Sequence, residues 1–298
     1  YRADVKFRLG IDYESLKPLN PGLIYGSISG FGQDGPLSKR PGFDQIAQGM
    51  GGLMSITGAP GEGPMRVGIP IADLTAGIFC AQGILLAIIE RQKSGQGQWV
   101  QSSLLQAQVF MLDFQASRWL MDGEVAPQAG NNHPTSIPTG VFETSDGHIN
   151  IASAGDAIYG RFVDVIGDEA MRAEEFATGP ARSKNRDKLN ALINDHTRKK
   201  TSAEWIELLN GAGVPCGEIN SIDKVFESPQ IKHLAMAKDI VSHERGPTQL
   251  VGQPVVLSRT DSSIKHPPPT YSQHTDDILA DLGYSADDVA KMHDNGTV

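Results

Sequence analysis

Apolar and β-branched residues alternate along Leu23-Ile24-Tyr25-Gly26-Ser27-Ile28-Ser29, between Asn20-Pro21-Gly22 and Gly30, and this pattern predicts a strand. Phe43, Ile46, Ala47 and Met50 follow a helical period instead, predicting a helix within 40–54 with Gly51-Gly52 as its punctuation. Residues 57–64 form a loop rich in Gly and Pro. The apolar run 74–89 then begins directly after Asp73 and closes in Glu90-Arg91-Gln92-Lys93-Ser94-Gly95. An acid at the start, cations in the last turn and a terminal glycine mark that run as a helix. A strand over 98–103 and another helix over 104–121 follow.

The texture changes after residue 126. Residues 127–140 carry three prolines and read as a linker, and 141–144 and 148–152 pair as a hairpin around Asp146-Gly147. Helices are expected over 159–166, 184–199 and 202–210, the last capped by Thr201 or Ser202, with a turn and strand from Val214. Pro267-Pro268-Pro269 make a stiff connector ahead of two short helices, 276–282 and 285–292. No internal repeat is visible. The expected division is a large α/β domain over 1–126, a linker and small α+β domain over 127–264, and a returning segment over 265–298.

Composition narrows the function classes. With 298 residues, 39% hydrophobic and 20% charged, the chain has the make-up of a folded enzyme. Its 26 Lys and Arg against 35 Asp and Glu leave a net charge of −9, which argues against a nucleic-acid binder. Cys80 and Cys216 stand far apart with no metal-ligand spacing, which suits a reducing compartment, the cytoplasm or a mitochondrial matrix. The run 74–89 is short for a bilayer span. The chain opens at Tyr1 without an initiator Met, in what reads as the middle of a folded segment, so a fragment is expected.

Asp73 is the focal acid. One reading makes it an N-cap, its side chain accepting a helix N–H. The other makes it a nucleophile: a carboxylate at a helix start would be held ionised, with a depressed pKa, and could attack a thioester. Ala72, Ala76 and Gly77 leave room beside it for an acyl group. Basic residues gather early, at Arg2, Lys6, Arg8, Lys39, Arg40 and Arg66; Lys6 and Arg66 read as solvated surface charge. The Gly-rich pieces match neither phosphate-binding loop pattern, and no Gly-x-Ser-x-Gly elbow occurs. His133 sits in the linker and reads as a surface histidine. No histidine has metal-site spacing, and no metal is expected.

Several segments, in this order, resemble the class III, formyl-CoA type (CaiB/BaiF) coenzyme A transferase family. They include Ser27-Ile28-Ser29-Gly30-Phe31-Gly32-Gln33-Asp34-Gly35-Pro36, Arg40-Pro41-Gly42-Phe43-Asp44 and Ile71-Ala72-Asp73-Leu74-Thr75-Ala76-Gly77. Lys93-Ser94-Gly95-Gln96-Gly97-Gln98, Gly130-Asn131-Asn132-His133-Pro134 and Gly213-Val214-Pro215-Cys216-Gly217 continue the match, which covers the whole chain. The resemblance implies an α/β fold with a doubly wound, Rossmann-like large domain lacking its N-terminal part. It also implies a smaller α+β domain and a homodimer of interlocked rings.

The resemblance further implies a CoA transferase that carries coenzyme A from an acyl-CoA to a carboxylic acid through covalent intermediates on Asp73, with a lean toward short dicarboxylates. Acyl-CoA is then a substrate, with no prosthetic group, nucleic acid or membrane partner. Arg8 falls on a CoA-contacting arginine, Tyr1 and Arg2 on a backbone stretch along the CoA, and Arg40, Pro41, Gly42, Phe43 and Asp44 on a segment beside it, with Asp44 on an acidic position near the active site. The glycine-rich flap of the formyl-CoA enzymes has no tetraglycine counterpart, and the loop 131–139 is its expected replacement. Two alternatives stand beside the transferase: an α-methylacyl-CoA racemase, disfavoured because Phe43 replaces the racemase histidine, and a truncated, non-catalytic CoA-binding protein.

Overall fold

The computed structural model describes every residue except Tyr1 and Asp261. Two compact units emerge, Tyr1–Glu218 and Ile219–Val298.

The first unit opens with two short helices. The first, α1 (Val5–Leu9), stops at left-handed Gly10, and α2 (Tyr13–Leu16) is capped by the Asp12 carboxylate, which accepts from Ser15 N. Strand β1 (Tyr25–Ser29) follows. The helix expected within 40–54 is two helices, α3 (Asp44–Met50) and α4 (Leu53–Ile56). They separate at Gly51-Gly52 because Gly52 takes φ +85°, which helix cannot accommodate. Next come α5 (Ile71–Ser94), closed by left-handed Gly95, and β2 (Trp99–Ser103). β1 and β2 pair in parallel, with Tyr25 opposite Trp99 and Ser29 opposite Ser103. A parallel pair requires a crossover, and α5 supplies it.

The crossover helix sits close on its strands because a glycine on each side receives a branched side chain from the other. A Cβ on Gly26 of β1 would lie 3.0 Å from Ile84 Cδ1, and one on Gly83 of α5 would lie 2.6 Å from Val100 Cγ1. With 24 residues, α5 is longer than the expected run and, by length and composition, long and apolar enough to cross a membrane. Here β1, β2, α3 and α6 (Leu104–Phe110) pack on one side of it. The core on that side is small: Ala47, Ala72, Ala76, Leu104 and Ala107, with Phe79 against them. Leu74, Ile78, Leu85 and Ile89 are exposed on its other side. The helix expected over 104–121 is likewise two, α6 and α7 (Phe114–Asp122), broken where Asp113 adopts φ +49°.

The rest of this unit holds its largest core. Antiparallel β3 (Thr139–Glu143), β4 (His148–Ala152) and β5 (Cys216–Glu218) form one sheet in that order. Helices α8 (Asp156–Ile166), α9 (Gly179–Lys184), α10 (Arg186–Thr197) and α11 (Ser202–Gly211) and two 3₁₀ turns complete it. Strand alternation places Phe142, Ile149 and Ile151 inside, against Phe162, Met171, Leu189 and Leu209. The capping box of α11 joins Thr201 and Glu204.

The second unit contains α12 (Ile222–Glu227), α13 (Pro229–His233), an antiparallel hairpin of β6 (Ala237–Ser242) and β7 (Gly246–Val251), then α14 (Thr275–Asp281) and α15 (Ala286–Asp294). The hairpin is absent from the sequence reading, although its turn ends at left-handed Gly246. Among its described residues only Gly252 and Val289 are buried, so this unit has almost no core of its own.

Candidate functional site

The site is assembled by two glycine contacts and one shared carboxylate. After β1 the chain turns through Gly30-Phe31-Gly32, and Gly30 lies directly against Gly42. A Cβ on Gly30 would stand 3.1 Å from the Gly42 Cα, and one on Gly42 would stand 2.8 Å from the Phe31 ring. Two of the segments that carry the family resemblance are thus pressed together, and a side chain at either position would force its neighbour to shift. Phe43 then serves as the N-cap of α3, leaving its ring largely exposed and directing Asp44 inward.

Asp44 reaches from α3 to the start of α5. Its Oδ1 accepts from Ala72 N at 2.9 Å, one of the first-turn N–H groups without an intrahelical partner. Its Oδ2 accepts from Gln48 Nε2 at 2.7 Å and faces Arg66 Nη2 at 3.8 Å. Gln48 is fully buried and also joins the segment leading into α5: its Oε1 accepts from Val67 N at 2.9 Å and its Nε2 donates to Ile69 O at 3.2 Å.

Asp73 is the third residue of α5, in its first turn, and is exposed. It is not the N-cap: helix geometry begins at Ile71, and Pro70 holds the cap position without a side-chain bond. Among the described residues its carboxylate has no hydrogen-bond partner. Nor is its pKa depressed. Partial desolvation, first, and the negative charge of Asp44, second, push it above the ordinary carboxylate range. The expected stabilisation by helix N–H groups is outweighed, since the Ala72 N–H is already engaged by a second acid.

Of the expected cofactor segment, the structure brings Asp44 to this helix start, while Gly42 packs on Gly30 and the Phe43 ring is exposed. Arg40, just before them, is exposed, as are Arg2 and Arg8. Arg2 pairs with Asp4 at 3.2 Å, whereas Arg8 and Arg40 have no ion pair among the described residues. Tyr1 lies outside the described residues. Arg66 is exposed, as the sequence suggested, and approaches Asp44 only to 3.8 Å, whereas Lys6 is not the solvated charge expected. Lys6 is buried, donates to Gln33 Oε1 and lies 4.2 Å from the centre of the Trp99 ring; desolvation lowers its pKa against the opposing pull of Asp12. Arg2, Lys6, Tyr25, Ser27 and Gln33 line a small cavity of about 170 Å³. Sequence reasoning misses Gln48 altogether, although its place four residues after Asp44 puts both on one helix face.

The linker is tied down. Gln128 Nε2 donates to Thr57 O at 2.6 Å and to Gly63 O at 2.7 Å, docking it on the Gly- and Pro-rich loop. His133 caps its own turn: Nδ1 accepts from Ser136 N at 2.9 Å and Thr135 N at 3.2 Å, and its ring stacks on Phe114. That bonding assigns the ring proton to Nε2. Among the described residues no group of three or more His, Cys, Asp or Glu is placed to hold a metal.

A parallel strand pair with a crossover helix, presenting an unpaired acid in the helix's first turn, defines an α/β protein with a candidate carboxylate nucleophile. The chain belongs to CoA-transferase family III, whose model matches residues 1–275. It is 35% identical over 283 residues to a succinate–glutarate CoA-transferase of Agrobacterium fabrum, covering 95% of this chain and 71% of that one. It is 30% identical to the succinyl-CoA:glutarate CoA-transferase of Homo sapiens, covering 92% of this chain and 63% of that one. A CaiB/BaiF family protein from Brucella suis, 35% identical, superposes with a TM-score of 0.79 over 95% of this chain and 74% of that one. The chain therefore spans between roughly three fifths and three quarters of these relatives.

Proposed function

We propose that the whole protein transfers CoA from an acyl-CoA to an acceptor carboxylate, with Asp73 as the covalent nucleophile. The exposed, unpaired carboxylate of Asp73 carries this reading. Its pKa, shifted upward, makes the ionised form more basic and so a better nucleophile. Asp73 attacks the thioester carbonyl, the C–S bond breaks, and CoA leaves as thiolate from an acyl-aspartyl anhydride. The thiolate then attacks the aspartyl carbonyl of that anhydride, releasing the donor acid and leaving an aspartyl thioester. The acceptor carboxylate displaces CoA from that thioester, and the returning thiolate takes the new acyl group and restores Asp73. Atoms and charge balance at every step, with no outside oxidant or base.

The glutarate named for two relatives supports a short dicarboxylate as donor or acceptor. Phe43 has no titratable group, which leaves two-sided proton exchange at Cα without a second acid/base. A doubly wound sheet containing β1 and β2, the domain limits 1–126, 127–264 and 265–298, and an interlocked homodimer belong to the same proposal. The exposed row Leu74, Ile78, Leu85 and Ile89 on α5 supports burial against further protein. The two free thiols suit a reducing compartment such as the cytoplasm.

The test is CoA exchange between isotopically labelled acids by the full-length protein, with borohydride reduction of the aspartyl thioester located by mass spectrometry. Label on Asp73 that disappears in Asp73→Asn supports the mechanism; full turnover by that variant refutes it. Sedimentation of the full-length protein at nanomolar concentration tests the dimer, and a folded monomer would contradict it.

A further inference from the structure

We infer that Gln48 is a positioning residue for Asp73, holding the Asp44 carboxylate and the segment leading into α5 in the single arrangement that presents the nucleophile. The inference rests on the reading of Asp73 as nucleophile and adds a residue that never meets the substrate. Gln48 is fully buried, and both of its polar atoms are used. One amide nitrogen bonds Asp44 Oδ2 and Ile69 O, while the oxygen receives Val67 N. It therefore ties the start of α3 to two backbone groups within six residues of Asp73. Asp44 in turn caps α5 at Ala72, the residue immediately before Asp73.

The consequence is chemical as well as geometric. The charge of Asp44 is one of the two causes that raise the Asp73 pKa, so whatever fixes Asp44 also fixes the basicity of the nucleophile. Around Asp44 the charged groups among the described residues are Arg66, at 3.8 Å on the approach to α5, and Asp73 itself. Without the Gln48 donor, the bond from Ala72 N and the distant Arg66 compete for the carboxylate. Asp44 can then rotate toward the guanidinium and away from the helix start. A displacement on the order of 1 Å at a reacting group can cost about 100-fold in rate.

The experiment compares Gln48→Leu and Gln48→Glu in the full-length enzyme. Its readouts are cooperative melting, kcat and KM for the acyl-CoA across pH, and the Asp73 carboxyl titration followed by ¹³C NMR. For Gln48→Leu we expect kcat to fall about 10- to 100-fold, KM to stay within about twofold, and the Asp73 titration to move to lower pH. The carboxyl introduced by Gln48→Glu can replace the amide donor only while protonated. The ratio of that variant's kcat to the parent's should therefore fall as pH rises and the shared proton leaves. A folded Leu variant with parental kcat and an unmoved Asp73 titration overturns the inference. So does a Gln48→Glu variant whose ratio is flat across pH, and this variant decides the matter if the Leu variant does not fold. If the parent transfers no CoA while Gln48→Leu still moves the Asp73 titration, positioning stands and the transferase reading falls.

Discussion

Replacing Arg182 with Met should cost far more stability than any surface charge. The guanidinium is 1% exposed, yet each of its three nitrogens is bonded: Nε to Ile137 O at 3.1 Å, Nη1 to Phe176 O at 3.0 Å, and Nη2 to Asp156 Oδ1 at 2.7 Å. It also lies 4.3 Å from the centre of the Tyr159 ring. The Asp156 side chain is 77% exposed, so that ion pair contributes little by itself. The expense lies with the two carbonyls. Ile137 and Phe176 are buried, and each oxygen left without its donor costs about 1–3 kcal/mol. Methionine fills most of the volume and retains contact with Tyr159, so the expected total is about 3–5 kcal/mol. In a cooperative unit of this size that lowers Tm by roughly 6–20 °C. Differential scanning calorimetry or urea unfolding of the parent and Arg182→Met measures it. Arg182→Lys should fall between them, since one ammonium can reach one carbonyl but not both. A Met variant melting within about 3 °C of the parent would refute the assignment of these bonds as a structural tie.

Asp73→Asn should abolish transfer while leaving the fold intact. Because folding raises the Asp73 pKa, the native state binds its proton more tightly than the unfolded chain. The contribution of Asp73 to stability therefore declines as pH rises from the ordinary carboxylate range through the raised value, and the Asn variant should melt at or slightly above the parent at neutral pH. Burial raises the Cys80 thiol and pushes Cys216 up to about 11, so both should resist iodoacetamide at neutral pH in the native protein and react on unfolding, as mass spectrometry can read. Thr201→Ala removes the oxygen that receives Glu204 N at 3.3 Å and should cost about 1 kcal/mol in chemical denaturation.

Local pattern carried the elements with a short-range cause. Gly95 at φ +73° ends α5 where the charge and glycine signals placed its end, and the Asp146-Gly147 turn joins β3 to β4 as read. Errors came where one residue's neighbours overrode periodicity. The helices expected within 40–54 and over 104–121 each break at a positive-φ residue, Gly52 or Asp113, and apolar spacing is blind to that torsion. The cap reading of Asp73 fails because a helix start cannot be located to two residues from hydrophobicity alone. Lys6 reads as solvated because a lone cation carries no mark of the aromatic ring that will face it.

The order of residues by itself determined the crossover helix, its strands, the acid near the helix start and the membership of CoA-transferase family III. Those properties depend on neighbours a few residues apart, within reach of hydrogen-bond periodicity and backbone preference. Only the tertiary structure decided the electrostatics of that acid. Asp44 stands 29 positions from Asp73 in sequence, yet its Oδ1 is 2.9 Å from the amide of the residue before Asp73. Gly30 meets Gly42, and Gln48 meets Val67, by the same folding of the chain on itself. Charge, burial and a shared helix cap are properties of what surrounds a side chain in space, and those surroundings exist only once distant segments have packed.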